Sequence, residues 1–259
     1  MPDPTAADPA AVPTGVGTPR VTVVTGAASG IGRTVAQTCA ARGDRVVGVD
    51  LAESVVEVVA GLPGTGHLPV VADLTVDGRA EQVVARVVEE VGTPQVLVNS
   101  AGVVRLGKAV DLPAGHWHQT LDVNLGASFF MAQAVGRRMV AAGYGRIVNL
   151  ASQAAVVGLD EHVAYCASKA GVLGMTRALS LEWAPHGVTV NAVSPTVVET
   201  PLGREAWAGE KGEAARRAIP VGRFAQPSEV AALIAFLASD EAAMITGENV
   251  VMDGGYTTV

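Results

Sequence analysis

Short β-branched runs alternate with stretches whose apolar positions return every three or four residues, and the alternation continues along nearly the whole chain. Val21-Thr22-Val23-Val24-Thr25 stops at Gly26, the pattern of a buried strand running into a turn. Ile31, Val35, Thr38 and Cys39 then recur at helical spacing until Gly43, a helix stop. Arg45 to Asp50 reads as a second strand, and Leu68 to Ala72 as a third after the Pro63-Gly64 break. Val83, Val84, Val87, Val88 and Val91 mark one face of a helix that closes at Gly92, and Gln95 to Val98 is a fourth strand. A helix from about Trp117 to Ala142 precedes the strand Arg146 to Leu150. Another from about Val163 to Ala184 precedes Val188 to Val193, and Pro227 to Ala238 precedes Asn249 to Met252.

Seven strands separated by helical patterns imply right-handed βαβ crossovers, hence one parallel sheet with helices on both faces. The expected fold is α/β, a single doubly wound (Rossmann) domain over residues 20–259. The connection Thr196 to Pro220 is longer than the others and carries Gly203, Trp207, Gly209 and Gly212, which suits a substrate lid. Residues 1–19, rich in Pro, Ala, Thr and Gly, read as a disordered tail without the basic start and apolar block of a signal peptide.

Composition narrows the picture further. Hydrophobic residues make up 49% of the chain and aromatics only 4%, so Val, Ala and Leu must build the core, as a sheet buried on both faces requires. A formal charge of -7 leaves no global positive field for nucleic acid or an anionic membrane, and neither is an expected partner. The apolar stretch Val230 to Ala238 is about half of a bilayer-spanning helix. The only cysteines, Cys39 and Cys166, lack metal-type pairing and a small secreted frame, which suits reduced thiols in a cytoplasmic protein and no metal site.

Two places carry chemistry. Gly26-Ala27-Ala28-Ser29-Gly30-Ile31-Gly32 joins the first strand to the first helix, and its glycines let backbone N–H groups approach a pyrophosphate at the helix N-terminus. A tight turn without a ligand would also need one or two of these glycines, so context decides. Asp50 closes the second strand where a carboxylate accepts hydrogen bonds from an adenosine ribose and repels a 2'-phosphate. Neither Leu51 nor Ser29 offers the cation such a phosphate wants, and Arg33 starts the helix as a surface charge, so NAD is expected over NADP.

Tyr165-Cys166-Ala167-Ser168-Lys169 puts a phenol and an ammonium four residues apart on one helical face. A phenol titrates near 10, too high for a base at neutral pH, and the Lys169 ammonium together with the positive nicotinamide is expected to favour phenolate. Ser152 follows the fifth strand at the carboxyl edge of the sheet, where its hydroxyl would orient a substrate oxygen. Asn99 ends the fourth strand and Asn124 sits inside a helix; taken alone, either reads as structural.

With these residues assembled, Val21 to Val259 resembles the short-chain dehydrogenase/reductase family. The glycine turn, Asp73-Leu74, Asn99-Ser100-Ala101-Gly102, Asn124, Ser152, Tyr165-x-x-x-Lys169 and Asp253-Gly254-Gly255 stand in the family's order. The resemblance implies that Asp73 and Leu74 flank adenine, that Asn99 supports the central strand beside the cofactor, and that Asn124 holds a water in a proton relay through Lys169. It adds Ala101 and Gly102 to the cofactor side, and it implies a homotetramer.

Ser100 stands where a second Asn is frequent, and Thr196 follows Pro195 where most members carry Gly. Pro195-Thr196-Val197-Val198-Glu199-Thr200, with Gln153, His162 and Trp207, is similar to xylulose reductases and related polyol dehydrogenases. By that likeness Pro195, the Val198 backbone and the Thr200 hydroxyl face the cofactor, whereas Gln153, His162 and Trp207 line the substrate pocket. Polar Gln153 and His162 suit a polyhydroxylated chain, because leaving them unpaired penalises an apolar substrate. The expected reaction is NAD-dependent oxidation of a C4 to C6 sugar alcohol of the threitol or xylitol type to its ketose, and the reverse, in carbohydrate metabolism. Two rivals stand beside it: a 3-oxoacyl-thioester reductase of the same family, and a dinucleotide-binding regulator without turnover.

Overall fold

The computed structural model describes residues 19–258, so the expected tail lies outside the described residues apart from Pro19. Within them stand seven strands: β1 Val21–Thr25, β2 Arg45–Asp50, β3 Leu68–Val71, β4 Val96–Asn99, β5 Gly145–Leu150, β6 Val188–Pro195 and β7 Asn249–Met252. They pair in parallel in the order β3-β2-β1-β4-β5-β6-β7. The order reverses between β1 and β4, and a crevice therefore opens beyond their carboxyl ends.

Parallel pairing demands crossovers, and helices supply them. These are α1 Gly30–Ala41, α2 Val55–Ala60, α3 Arg79–Glu90, α4 Ala114–Leu121, α5 Ala127–Ala142, α6 Val163–Trp183, α7 Pro201–Ala206, α8 Gly209–Ala218 and α9 Pro227–Leu237. Strands β1, β4, β5 and β6 are buried along their whole length, which is why they read as nearly unbroken apolar runs. One face packs Val23, Leu97 and Ile147 on Val83 and Val87 of α3 and on Met131, Val135 and Met139 of α5. The other packs Val24, Val98, Val148 and Val193 on Val35 and Cys39 of α1 and on Val230, Ile234 and Leu237 of α9. Each such side chain stabilises the fold by about 1.5–3 kcal/mol, before entropy is counted.

Three features differ from the sequence reading. Helix α2 occupies a Val-rich stretch left unassigned; Val55 and Val59, one helical turn apart, are buried on the sheet, and Gly48 of β2 lets Val59 approach closely. The helix expected from Trp117 to Ala142 begins at Ala114 and changes to a π-turn over Asp122–Gly126 before α5. The long connection after β6 folds into α7 and α8.

Candidate active site

The glycine turn is shaped by backbone demands. Gly26 and Gly30 have φ of 69° and 52°, in the left-handed region that favours glycine. A Cβ on Gly26 would stand 2.9 Å from the Ala101 backbone, and one on Gly32 would strike the Gly26 carbonyl. Thr25 locks the turn to the end of β4 by accepting, at Oγ1, the N–H groups of Ser100 (3.0 Å) and Ala101 (3.1 Å). No side chain caps α1, so its first N–H groups point into the crevice, the arrangement that binds phosphate.

Asp50 reaches this turn from β2. Its Oδ2 accepts the Ala28 N–H at 2.9 Å and its Oδ1 the Ala52 N–H at 2.9 Å, so the carboxylate is fixed beside the turn. Asp73 accepts the Thr75 N–H (2.9 Å) and hydroxyl (2.6 Å), and these bonds hold its carboxyl below the usual range. Gly26, Ser29, Gly30, Ile31, Gly32, Asp50, Leu51, Asp73, Leu74, Ala101 and Gly102 line one end of a cleft of about 880 Å³; Ser152, Tyr165 and Lys169 stand at the other. Glycine backbone, an uncapped helix start and a fixed carboxylate fit a dinucleotide without a 2'-phosphate. Among the described residues no group of three or more His, Cys, Asp or Glu is placed to hold a metal. None of their helices is long and apolar enough to cross a membrane.

At the far end, Ser152 accepts the Ala154 N–H at 3.1 Å and lines the cleft beside the Tyr165 phenol. Burial pushes that phenol up, and the neighbouring Ser152 hydroxyl only partly offsets it. The Lys169 ammonium lies 5.8 Å from the Tyr165 ring centre and donates to the Leu150 carbonyl at 2.6 Å. Burial brings Lys169 itself down to about 8. Asn124 lies in the π-turn, a distortion that recurs at functional sites. Its amide donates to Val103 O and Ser168 Oγ, both 3.0 Å, and its Oδ1 accepts the Val103 N–H at 2.8 Å. Gly102 fills the gap between them, since a Cβ there would be 3.3 Å from Asn124 Oδ1 and 3.7 Å from Lys169 Nζ.

Asn124 and Asn99 stand behind the cleft rather than on its wall. Asn99 clamps the sheet to α5 by donating to Asn149 Oδ1 (2.9 Å) and Ser128 O (3.0 Å). Pro195, Val198 and Thr200 do line the cleft. The Thr200 hydroxyl caps α7 by accepting the Gly203 N–H at 3.0 Å, while its methyl faces Gly30 across the glycine turn.

The residues expected around the substrate divide. His162 and Trp207 line the main cleft, with the His162 ring edge-on to Tyr165 at 6.2 Å. Gln153 is buried and opens instead on an adjoining cavity of about 240 Å³, which shares Thr196, Val197, Trp207 and Lys211 with the cleft. The Lys211 ammonium stands 4.8 Å above the Trp207 ring. Lys211 and Tyr256 escaped the sequence reading because their place in the cavity wall depends on how α8 and the chain end pack; Thr196 was visible only as a departure from the family pattern.

A family model described as Enoyl-(Acyl carrier protein) reductase matches residues 26–257. The chain is 51% identical to an NAD-dependent glycerol dehydrogenase of Listeria innocua, over 93% of this chain and 94% of that protein. It is also 51% identical to a D-threitol dehydrogenase of Mycolicibacterium smegmatis, over 92% and 93%. A solved structure named only provisionally as an NAD(P)-dependent gluconate 5-dehydrogenase from Beutenbergia cavernae, with NADP bound at low occupancy, is 37% identical. It superposes with a TM-score of 0.87 over 93% of this chain and 97% of that one. The glycine turn, the Ser152–Tyr165–Lys169 grouping at the switch-point cleft and these full-length matches place the chain in the short-chain dehydrogenase/reductase family.

Proposed function

We propose that the protein oxidises a secondary alcohol of a short sugar alcohol to the ketose with NAD, and catalyses the reverse reduction. The observation that carries this reading is the cleft itself, with the fixed Asp50 carboxylate at one end and Ser152, Tyr165 and Lys169 together at the other. The glycine turn and α1 start hold the pyrophosphate, Asp50 takes the adenosine ribose, Asp73 and Leu74 flank adenine, and Pro195, Val198 and Thr200 face the nicotinamide side. Bound NAD supplies the hydride acceptor. Ser152 orients the substrate oxygen, and Tyr165 Oη takes its proton as the carbonyl forms. A phenol held up by burial is the proton donor that ketose reduction needs. Oxidation needs the phenolate, which the Lys169 ammonium and the positive nicotinamide would together favour with NAD bound. Asn124 positions the backbone beside Lys169, and Asn99 holds β4 behind the cofactor.

Asp50 and the uncharged Leu51 and Ser29 favour NAD over NADP and argue against an NADPH-dependent thioester reductase. Retention of Ser152, Tyr165 and Lys169 argues against a regulator without turnover. The assembly we propose is a homotetramer, supported by exposed Phe130, Leu181, Phe236 and Met244 and checked by a solution mass of four 26.3 kDa chains. Free Cys39 and Cys166 support a cytoplasmic setting.

The test is a steady-state screen of glycerol and C4 to C6 alditols with NAD and NADP, beside a 3-oxoacyl thioester with NADPH. Polyol turnover with NAD is expected, and Tyr165→Phe should lower it by at least about 10²–10⁴ while NAD still binds. Preferred turnover of the thioester would overturn the reading.

A further inference from the structure

The segment that leaves β6 is tied to the one that leads into α9. Val198 and Ala225 form an isolated parallel bridge, in which the Glu199 N–H donates to the Ala225 carbonyl at 2.9 Å and the Ala225 N–H to the Val197 carbonyl at 3.0 Å. Val198 and Thr200 line the cleft, so this short platform belongs to the wall proposed to face the nicotinamide. Glu199 and Phe224 extend from the same platform, and one side chain of α8 engages both.

That side chain is Arg216. Its guanidinium lies over the Phe224 ring, 4.3 Å from the centroid, and its Nη2 donates to Glu199 Oε1 at 3.4 Å. Its Nη1 donates to Glu213 Oε1 at 2.6 Å. The Glu199 side chain is 21% exposed and that of Glu213 62%, so the Glu199 pair is the less hydrated of the two and weighs more. A flat guanidinium stacks on a ring and pairs through its edge at the same time, which an ammonium cannot do. Buried Phe224 in turn meets Trp207 edge-on, with 6.4 Å between ring centres. Trp207 lines both the cleft and the adjoining cavity, and α8 packs closely on its backbone, since a Cβ on Gly212 would strike the Trp207 carbonyl. Contacts therefore run unbroken from the platform through Glu199, Arg216 and Phe224 to the aromatic wall of the substrate end. Ser152, Tyr165 and Lys169 stand outside this chain of contacts, after β5 and on α6.

We propose that Arg216 is a positioning residue: stacked on Phe224 and paired with Glu199, it holds α8 on the platform and so sets Trp207 as the wall of the substrate pocket. This rests on the polyol reading above. The residue touches neither cofactor nor substrate, and it acts on substrate binding through Phe224 and Trp207.

The experiment measures kcat and KM for threitol at saturating NAD. Arg216→Met keeps an unbranched side chain over Phe224 and removes the guanidinium; KM should rise by about tenfold with kcat within about threefold of wild type, because the groups that move the proton are untouched. Arg216→Lys, a point charge without the flat stack, should recover part of that rise. Glu199→Gln should act in the same direction and add little to Arg216→Met in the double variant, since both remove one contact. Glu213→Gln, at the exposed partner of the same guanidinium, should leave KM within about twofold of wild type. Should Arg216→Met not fold, Glu199→Gln set against Glu213→Gln carries the test. A folded variant that loses thermal stability with KM unchanged, or whose kcat falls at unchanged KM, overturns the positioning role and leaves the polyol reading standing. A wild type without threitol turnover overturns both.

Discussion

Lys169 is an ammonium in a place that disfavours ammonium. Its pKa falls from 10.5 to about 8 because burial strips its water, and the Leu150 carbonyl at 2.6 Å is its hydrogen-bond partner. Between those values the unfolded chain carries a proton that the folded chain lacks, so stability rises with pH across that window. The shift corresponds to about 3 kcal/mol of penalty on the charged form. Relative to Lys169→Met, the wild type should therefore gain stability from pH 7 to pH 10, read by urea denaturation at both values. A difference that does not move with pH would mean the ammonium is not penalised. Asp50 poses a different test. Asp50→Asn keeps an acceptor for the Ala28 N–H but removes the charge, so the ratio of kcat/KM for NAD over NADP should fall by about tenfold. Unaltered selectivity would remove Asp50 from the cofactor site. Both residues were legible in the sequence, Asp50 by closing a strand and Lys169 by its spacing from Tyr165. The desolvation that raises the Tyr165 phenol was not, because it depends on what the fold packs around the ring.

Among elements, the strands and the long periodic helices were read well, and the short helices were not. Helices α1, α3, α6 and α9 appear where apolar spacing put them, since each presents a stripe to a sheet face. Helix α2 did not declare itself: Val-Val-Glu-Val-Val suits a strand by propensity, and only burial of Val55 and Val59 against β2 makes it helical. The π-turn at Asn124 was equally silent, because one extra residue per turn leaves no mark in a short apolar pattern. Close helix packing has its own marker. Gly136 of α5 faces Trp183 of α6, where an added Cβ would stand 2.6 Å from the ring. Gly136→Ala should destabilise by about 1–3 kcal/mol through overpacking, despite the better helix propensity of Ala. A stability equal to wild type in urea would show that the two helices separate without cost.

For the molecule as a whole, the sequence by itself determined the parallel sheet, the single domain and the switch-point cleft. Parallel strands need crossovers, crossovers need helices, and buried strands need Val-rich runs, all of which are local and periodic. It also placed the glycine turn and Asp50 at one end of that cleft, the proposed cofactor end, because both are adjacent in chain order to the elements that present them. The substrate end was decided by tertiary structure. Gln153 and His162 lie nine residues apart and both looked like pocket residues, yet they face different cavities. The adjoining cavity is walled by Gln153, Thr196, residues of α8 and Tyr256, which stand far apart along the chain. A site assembled from segments distant in sequence leaves no periodic trace, since its spacing is set by packing in three dimensions rather than by the repeat of a helix or a strand.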